Sequence, residues 1–185
     1  MFILLFSSKF KLFGKKVSII FPDIIKGEEY ISIEDNVVIQ TKLWLMAYKQ
    51  DDIDPVLHIS SGVEIGRFAH IVAVQDIMIE KNVLIADKVY ISDNIHSYEN
   101  ISEPIKNQKI KFKNRVIIGE NSWIGENTSV IGATIGRHCI VGSNSVVTKN
   151  ILDYSVVAGV PARYIKRYDF SAKMWKKTDT NGEFI

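Results

Sequence analysis

The sequence predicts an all-β protein whose chain winds into a parallel β-helix, and two features of residues 112–148 indicate this fold. An apolar residue returns there about every six residues, which fits neither the roughly 3.6-residue period of a helix nor the alternation of one long strand. Glycine often follows this residue, and a small or aliphatic residue lies four positions after it. Repeats of this kind are typical of coils in which each hexapeptide forms one flat side. The spaced residues are Phe112, Ile118, Ile124 and Val130, then, after a one-residue slip, Ile135, Val141 and Val147, and the small ones are Val116, Ser122, Thr128, Cys139 and Ser145.

The same spacing recurs earlier in the chain, so we predict a repeat domain over residues 33–160. Each of its Ile and Val side chains contributes about 1.5–3 kcal/mol of stability when fully buried. Segments 41–57, 74–78 and 97–111 interrupt the spacing, and we expect the last to leave the coil as a loop near a binding face. The earlier spaced residues are Ile33, Ile39, Ile59, Ile65, Ile71, Ile79, Ile85 and Ile91.

The two ends of the chain do not follow the repeat. Residues 1–32, apolar at first and then basic, are predicted to form an N-terminal cap segment. Residues 161–185 form a basic tail, which we expect to cover the open strand edge at the end of the coil. A short helix from Ser171 to Lys177 is predicted within this tail.

The composition of the chain argues against several classes of protein, among them nucleic-acid-binding and disulfide-linked proteins. With 185 residues, 46% of them hydrophobic, and a net charge of +2, the chain suits one domain and gives no sign of a nucleic-acid partner. The apolar start precedes its lysines and is shorter than the roughly 20 residues of a membrane span, so we expect a cytoplasmic protein. Peripheral membrane contact stays an open alternative. The single Cys139 excludes an internal disulfide and is predicted to pack in the core.

Three stretches resemble the hexapeptide-repeat O-acetyltransferases: IGENSWIG at 118–125, IVGSNSVVTK at 140–149 and VAGVPAR at 157–163. The chain looks most like galactoside and maltose acetyltransferases and the enzymes that acetylate capsule and O-antigen glycans. The resemblance covers about residues 59–167. It implies a left-handed β-helix, a homotrimer with active sites between subunits, and transfer of acetyl from acetyl-CoA to a sugar hydroxyl, with no metal.

Acyl transfer to a hydroxyl needs a base with a pKa near neutrality, which makes histidine the first candidate. His96 lies at the mouth of the 97–111 loop and resembles the family's catalytic histidine, although Asn94 stands where many relatives have a further histidine. The other histidines are interpreted as surface or turn residues: His58, His70 and His138.

If residues 97–111 form one ordinary side of the coil plus a loop of about half a turn, hexapeptide counting places Trp123 beside His96, one coil further on. The resemblance puts a tryptophan in the wall of the active site. Its indole N–H could donate to the acceptor or to the oxyanion. The group that orients the His96 ring is left open between Asp93, Glu99 and a backbone carbonyl. Asp93 is favoured as a turn residue, because aspartate bonds to its own backbone in turns.

The resemblance also assigns residues to the acetyl-CoA site, where cations suit the phosphates. Glu126 is the doubtful member, since an acid gains nothing beside a phosphate, and a solvated basic tail is the alternative for the cations. The assigned residues are Glu126, Ser143, Thr148, Lys149, Arg163 and Lys166.

Other functions stay open at this stage. The same fold serves antibiotic (xenobiotic) acetyltransferases and amino-sugar N-acetyltransferases, whose acceptors would also be chosen by segments 41–57 and 97–111. A γ-type carbonic anhydrase needs three converging histidines, which the spacing here does not supply. A non-catalytic trimeric coil is the last alternative. The sequence does not reveal the acceptor sugar, its hydroxyl or its carrier.

Overall fold

The computed structural model of the chain describes residues 7–185, so the apolar start of the predicted N-terminal cap lies outside the described residues. The described chain is built almost wholly of strands, with short 3-10 turns at Ser7–Lys9, Glu28–Tyr30 and Ile105–Asn107. Successive strands form three sheets of six, nine and six strands, here called sheets 1, 2 and 3. These sheets are the three sides of a parallel β-helix, which confirms the predicted fold class.

The coil repeats one strand for each sheet. Its turns contain β1 (Leu12–Phe13), β2 (Ser18–Ile19) and β3 (Ile24–Lys26); β4 (Ile31–Ile33), β5 (Val38–Ile39) and β6 (Trp44–Ala47); β7 (Val56–Ile59), β8 (Glu64–Ile65) and β9 (His70–Ala73); and β10 (Asp76–Ile79), β11 (Leu84–Ile85) and β12 (Tyr90–Ser92). A hairpin of β13 (Asn94–His96) and β14 (Ile110–Phe112) then leaves the coil. The coil resumes with β15 (Val116–Ile118), β16 (Trp123–Ile124) and β17 (Ser129–Ile131), then β18 (Thr134–Ile135), β19 (Ile140–Val141) and β20 (Val146–Val147), and ends with β21 (Ser155–Gly159), β22 (Ala162–Asp169) and β23 (Met174–Lys177).

The predicted core residues point inward and are buried. The spaced Ile and Val residues from Ile33 to Val147 and the small residues between them are all fully or almost fully removed from solvent. Phe112 is the exception, because it lies in β14, pairs with Asn94 in the hairpin and takes no part in the coil. The six-residue spacing therefore identified the core correctly wherever the chain remains in the coil.

The turns between sheets depend on residues in the left-handed backbone region. Asn82, Asn121, Asn127 and Asn144 have φ angles of 56–60° at such turns, and asparagine tolerates this region better than most residues. The Asn127 side chain also donates to Asn144 Oδ1, 2.8 Å away on the next coil. We name the three edges of the prism by the sheets they join: the 1–2, 2–3 and 3–1 corners.

The first coil begins earlier than the repeat spacing indicated. β1 pairs in parallel with β4, with Leu12 opposite Ser32 and Phe13 opposite Ile33, so part of the predicted cap of residues 1–32 belongs to the β-helix. Phe13, Ile19 and Ile25 keep the six-residue spacing but are only partly buried against the core. Their mixed surroundings at the end of the coil explain why the repeat is faint there.

The helix predicted from Ser171 to Lys177 is wrong. The tail forms β22 and β23, which add to the edge of sheet 2 as antiparallel strands. The Asp169 carboxylate accepts the backbone N–H groups of Ser171 and Ala172 at 2.8 and 2.9 Å, which shapes the reversal between the strands. The open edge of β21 offers backbone partners that a helix could not use. No helix within residues 7–185 is long and apolar enough to cross a membrane.

Candidate active site

Two insertions leave the coil at the same 3–1 corner and enclose a groove around His96. Residues 48–55 follow β6, and the hairpin of β13 and β14 follows β12. The groove has a volume of about 420 Å³. The Gln50 side-chain amide donates to the Ile110 carbonyl at 2.7 Å and joins the insertions. The groove is lined by Tyr48, Lys49, Gln50, Asp51, His96, Lys106, Gln108, Lys109 and Ile110.

His96 lies on the hairpin and is exposed to the groove. It pairs with Ile110 across the two strands, rather than closing a hexapeptide as the sequence suggested. The hairpin also extends beyond the predicted 97–111 loop on both sides, because its paired strands begin at Asn94 and end at Phe112. The imidazole is therefore carried on a paired strand outside the coil and is open to solvent in the groove.

The base of this hairpin is fixed by Asp93, which is fully buried. Its carboxylate accepts the backbone N–H groups of Val74, Gln75 and Asp76 at 2.7–3.1 Å and the Asn94 side-chain amide at 2.9 Å. Its carbonyl accepts the Lys113 N–H at 2.8 Å, where the hairpin returns to the coil. Asp93 thus joins the preceding corner to both ends of the hairpin, and its carboxylate serves the backbone of that corner rather than that of its own turn, which its residue type had suggested.

The carboxylates proposed to orient the His96 ring have other partners. The Asp93 oxygens serve the turn at 74–76, and Glu99 accepts the Lys111 ammonium at 2.7 Å. This ammonium and neighbouring backbone N–H groups lower the pKa of Glu99 to about 2. Neither acid therefore bonds to the ring in this structure.

Two predicted donor-site residues lie at the same 3–1 corner as His96. Thr148 and Lys149 are exposed in the turn that follows β20, two coils beyond the hairpin. Between them lies a feature that the sequence analysis missed: the Lys113 chain crosses Gly132 and donates to the Ile131 carbonyl at 2.9 Å. Gly132 has a φ of 54°, and a Cβ there would lie 2.9 Å from the Lys113 chain. Gly132 lies where the spacing shortens from six residues to five, between Val130 and Ile135. This glycine is the sequence signal that could have indicated a side chain, here that of Lys113, crossing the turn.

Trp123 does not lie beside His96 within one chain, so the hexapeptide counting was wrong. It lies on the outer face of sheet 2, between Leu84 and Ile140 in register, and it is 47% exposed. The counting failed because the hairpin removes more residues from the coil than its polar segment indicates. Glu126 follows at the 2–3 corner and accepts the Lys88 ammonium at 3.0 Å.

The remaining predicted residues lie on the same side as Trp123. Ser143 is exposed at the 2–3 corner one coil beyond Glu126. Arg163 and Lys166 are on β22, opposite Ala158 and Val156 of the last coil. The structure therefore separates the candidate residues into two groups, one at the 3–1 corner and one on sheet 2 and the 2–3 corner.

The other histidines and the cysteine have structural surroundings. His58 Nε2 lies 2.8 Å from Glu34, and His70 stacks on Trp44 with ring centres 4.5 Å apart. Burial lowers the pKa of His70. His138 is a turn residue with a φ of 54°, and Cys139 is buried in the core as predicted. No three His, Cys, Asp or Glu side chains within residues 7–185 are grouped to hold a metal ion.

Similarity to known proteins is consistent with this arrangement. A family profile described as the hexapeptide repeat of succinyl-transferase matches residues 115–149. WbbJ of Escherichia coli K12, named as a lipopolysaccharide biosynthesis O-acetyl transferase, is 34% identical over 164 residues. That alignment covers 85% of this chain and 82% of WbbJ.

Two solved structures share the architecture. A maltose O-acetyltransferase from Clostridium difficile 630 is 25% identical, with a TM-score of 0.58 over 88% of this chain and 72% of its own. A variant of AntD, an N-acyltransferase from Bacillus cereus in complex with dTDP and coenzyme A, is 21% identical. Its TM-score is 0.71 over 88% of this chain and 87% of its own, a likeness of fold alone.

Proposed function

The chain belongs to the hexapeptide-repeat acetyltransferases and shares their left-handed β-helix, and from this premise we propose that it acetylates a sugar hydroxyl. The acetyl donor in the proposal is acetyl-CoA, and the acceptor is a surface polysaccharide or its precursor. The name of WbbJ supports this acceptor class, because it refers to lipopolysaccharide biosynthesis. A cytoplasmic location belongs to the same proposal, since acetyl-CoA is a cytoplasmic metabolite.

The position of His96 is the observation that carries the proposal. It is exposed in a groove formed by both insertions, at the corner that also bears Thr148 and Lys149. The lining of the groove includes the polar side chains of Gln50, Asp51 and Gln108. Amide and carboxylate groups of this kind can donate to or accept from sugar hydroxyls.

The chemistry is direct transfer in a ternary complex. The His96 imidazole accepts the proton of the acceptor hydroxyl as its oxygen attacks the thioester carbonyl carbon. The carbon–sulfur bond then breaks, and the imidazolium returns the proton to the departing thiolate of coenzyme A. The products are the acetylated sugar and free coenzyme A, and the reaction needs no covalent enzyme intermediate.

The donor would lie along the 3–1 corner, on the C-terminal side of His96. The Lys113 ammonium reaches the turn after β17, and Thr148 and Lys149 lie together in the turn after β20, one coil further on. Lysine ammonium groups suit phosphates as point charges. Because insertion 48–55 lies on the other side of His96, the acceptor would approach from the N-terminal side of the groove.

The separation of the candidate residues supports a homotrimer with sites between subunits. Trp123, Glu126, Ser143, Arg163 and Lys166 could complete the site only from a second copy, because they lie away from the 3–1 corner of their own chain. Sheet 3 joins the two corners concerned. Its outer face carries partly exposed apolar side chains, as expected of a contact surface: Trp44, Met46, Val72, Ile131 and Val146.

The proposal is tested by pairing a binding measurement with turnover. His96→Ala should lower acetyl transfer about 100-fold or more, the usual contribution of a general base. Acetyl-CoA at about a hundred times its dissociation constant should still raise stability by roughly 2.7 kcal/mol. His58→Gln is the matched control, since His58 lies on sheet 1 beside Glu34.

The acceptor panel should contain neutral sugars, amino sugars, nucleotide-linked sugars and a macrolide antibiotic. Transfer to a sugar hydroxyl is the expected result, and preference for an amine or for the antibiotic would select another acceptor class. Near-normal turnover by His96→Ala would remove His96 from the mechanism. Failure of any acyl-CoA to stabilise the wild-type protein would contradict the donor assignment.

A further inference from the structure

A second groove lies at the 1–2 corner, near the C-terminal end of the coil. Its volume is about 580 Å³, larger than that of the groove at His96. The turns of the last two coils supply Arg137, Asp153 and Tyr154, and the tail supplies residues 167–171 and Phe184. None of the residues assigned to acyl transfer lines it. We call it the C-terminal groove.

Aromatic rings form much of its surface. Phe170 meets Tyr154 edge to face, with ring centres 4.9 Å apart and planes at 90°. Phe170 also meets Tyr168 at 5.1 Å and 77°. Phe170 is nevertheless 63% exposed, and Phe184 is 47% exposed. The rings thus support one another through their edges while much of their surface stays open to a ligand.

Charged groups beside these rings are held in place. The Arg137 guanidinium lies 3.2 Å from Asp153 and 5.4 Å from the centre of the Tyr154 ring. Arg167 donates to the Gly182 carbonyl at 3.2 Å, while its buried Nε has no partner in the described residues. The groove therefore presents fixed donors and acceptors rather than a surplus of one charge.

The second carboxylate of the lining is equally fixed. Asp169 accepts the Lys176 ammonium at 2.6 Å and two backbone N–H groups of the turn. The groove thus pairs each acid with a cation, Asp153 with Arg137 and Asp169 with Lys176. Side chains that are already ordered lose little rotamer freedom when a ligand binds.

This combination fits a carbohydrate better than other ligands. The C–H face of a sugar ring can pack on an exposed aromatic ring, while its hydroxyls both donate and accept hydrogen bonds. A phosphate group would find no surplus of positive charge, because Asp153 and Asp169 offset the arginines that line the groove. A lipid or apolar peptide would cover these charged groups without satisfying them, which costs free energy.

We propose that the C-terminal groove is a second glycan-binding site, which holds a part of the acceptor polymer away from His96. Only the identity of the bound polymer with the acceptor rests on the proposed function. Two linked sites raise the effective concentration of polymer at the catalytic groove. A long acceptor therefore benefits from the groove, and a monosaccharide does not.

The binding test uses the full-length protein on an array of bacterial polysaccharides and oligosaccharides. Phe170→Ala and Phe184→Ala should each weaken glycan binding about tenfold or more. Phe21→Ala is the matched control, because Phe21 is 78% exposed at the other end of the coil. His96→Ala should bind like the wild type. Equal binding by wild type and Phe170→Ala, or no glycan bound by the wild type, would overturn the proposal.

The kinetic test separates this proposal from acetyl transfer itself. In Phe170→Ala, KM should rise about tenfold for a polymer that the array identifies, with kcat and the KM of a monosaccharide acceptor unchanged. An equal rise for both acceptors would contradict a separate site. If no acceptor is acetylated at all, the array still tests whether the C-terminal groove binds a glycan, because binding needs no turnover.

Discussion

The side-chain amide of Gln50 donates a hydrogen bond of 2.7 Å to the carbonyl oxygen of Ile110, which lies sixty residues further along the chain. This bond joins insertion 48–55 to the hairpin that carries His96. Lys109 and Asp51 add a weaker ion pair of 3.7 Å between the same insertions. The shape of the groove at His96 therefore depends on both insertions rather than on the coil beneath them.

Gln50→Ala should loosen this groove without unfolding the coil. One hydrogen bond contributes about 0.5–1.5 kcal/mol, so we expect the acceptor KM to rise about two- to tenfold. The melting temperature and the acetyl-CoA affinity should change little. Gln40→Ala is the control, because Gln40 is exposed on the coil and its side chain has no hydrogen bond in the described residues. An unchanged acceptor KM would show that the contact does not shape the site.

Asp93→Ala should destabilise the protein strongly. It would leave the backbone N–H groups of Val74, Gln75 and Asp76 without their acceptor in a largely buried corner. Unsatisfied buried groups cost about 1–3 kcal/mol each, so we expect a loss of about 3 kcal/mol or more. Urea unfolding at constant protein concentration measures this loss.

Asp87 provides the comparison for Asp93. Its carboxylate accepts the backbone N–H of Arg67 at 2.8 Å and forms an ion pair of 2.7 Å with the Arg67 guanidinium, but on an exposed corner. Asp87→Ala should therefore cost only about 0–1 kcal/mol, as for surface ion pairs. Similar losses in the two variants would mean that burial of Asp93 does not determine its contribution.

The proposed location of the sites between subunits predicts complementation. His96→Ala damages the 3–1 corner and Trp123→Ala damages sheet 2, so each variant alone should be nearly inactive. When equal amounts are unfolded and reassembled together, random association should restore about one quarter of the wild-type sites. The measurement is acetyl transfer after joint reassembly, with each variant reassembled alone as control. No gain over the separate variants would place the whole site within one chain.

Cys139 should resist thiol reagents in the folded protein. Burial raises the pKa of its thiol to about 11, so at pH 8 only about one thiol in a thousand would be the reactive thiolate. Because folding raises this pKa, the stability that the protonated thiol contributes is present below about pH 9 and is lost as the pH rises through about 11. Labelling with a chromogenic disulfide at pH 8 should be slow, and urea should make it fast. Rapid labelling before unfolding would contradict this burial.

Much of the fold was accessible from sequence because each hexapeptide is a local unit. Ile118, Ile124 and Val130 mark three sides of one coil, and their burial follows from spacing alone. Asn121 and Asn127 mark the turns between those sides, because the backbone there needs the left-handed region. The faint first coil escaped because Phe13 and Ile19 are only partly buried.

The positions of the candidate residues were harder to predict from the sequence than their chemical types. His96 lies in a groove beside the insertion that follows it, as its place in the sequence indicated, and its role as the base stays a prediction. Trp123 was assigned to the wrong side because the repeat spacing does not indicate how many residues leave the coil in the hairpin. Lys113 was missed because its role depends on crossing Gly132, a contact made only after the hairpin returns to the coil.

The sequence by itself determined the repeat, the buried ladder and the family to which the chain belongs, since each depends on residues a few positions apart. Only the tertiary structure decided that the insertions share one corner and that the tail adds strands to sheet 2. It also decided that His96 and Trp123 lie on different sides of the prism. The physical reason is that a six-residue repeat fixes the geometry of one side of the coil. The length of an insertion determines on which side the chain resumes, and an open strand edge determines where the tail can pair.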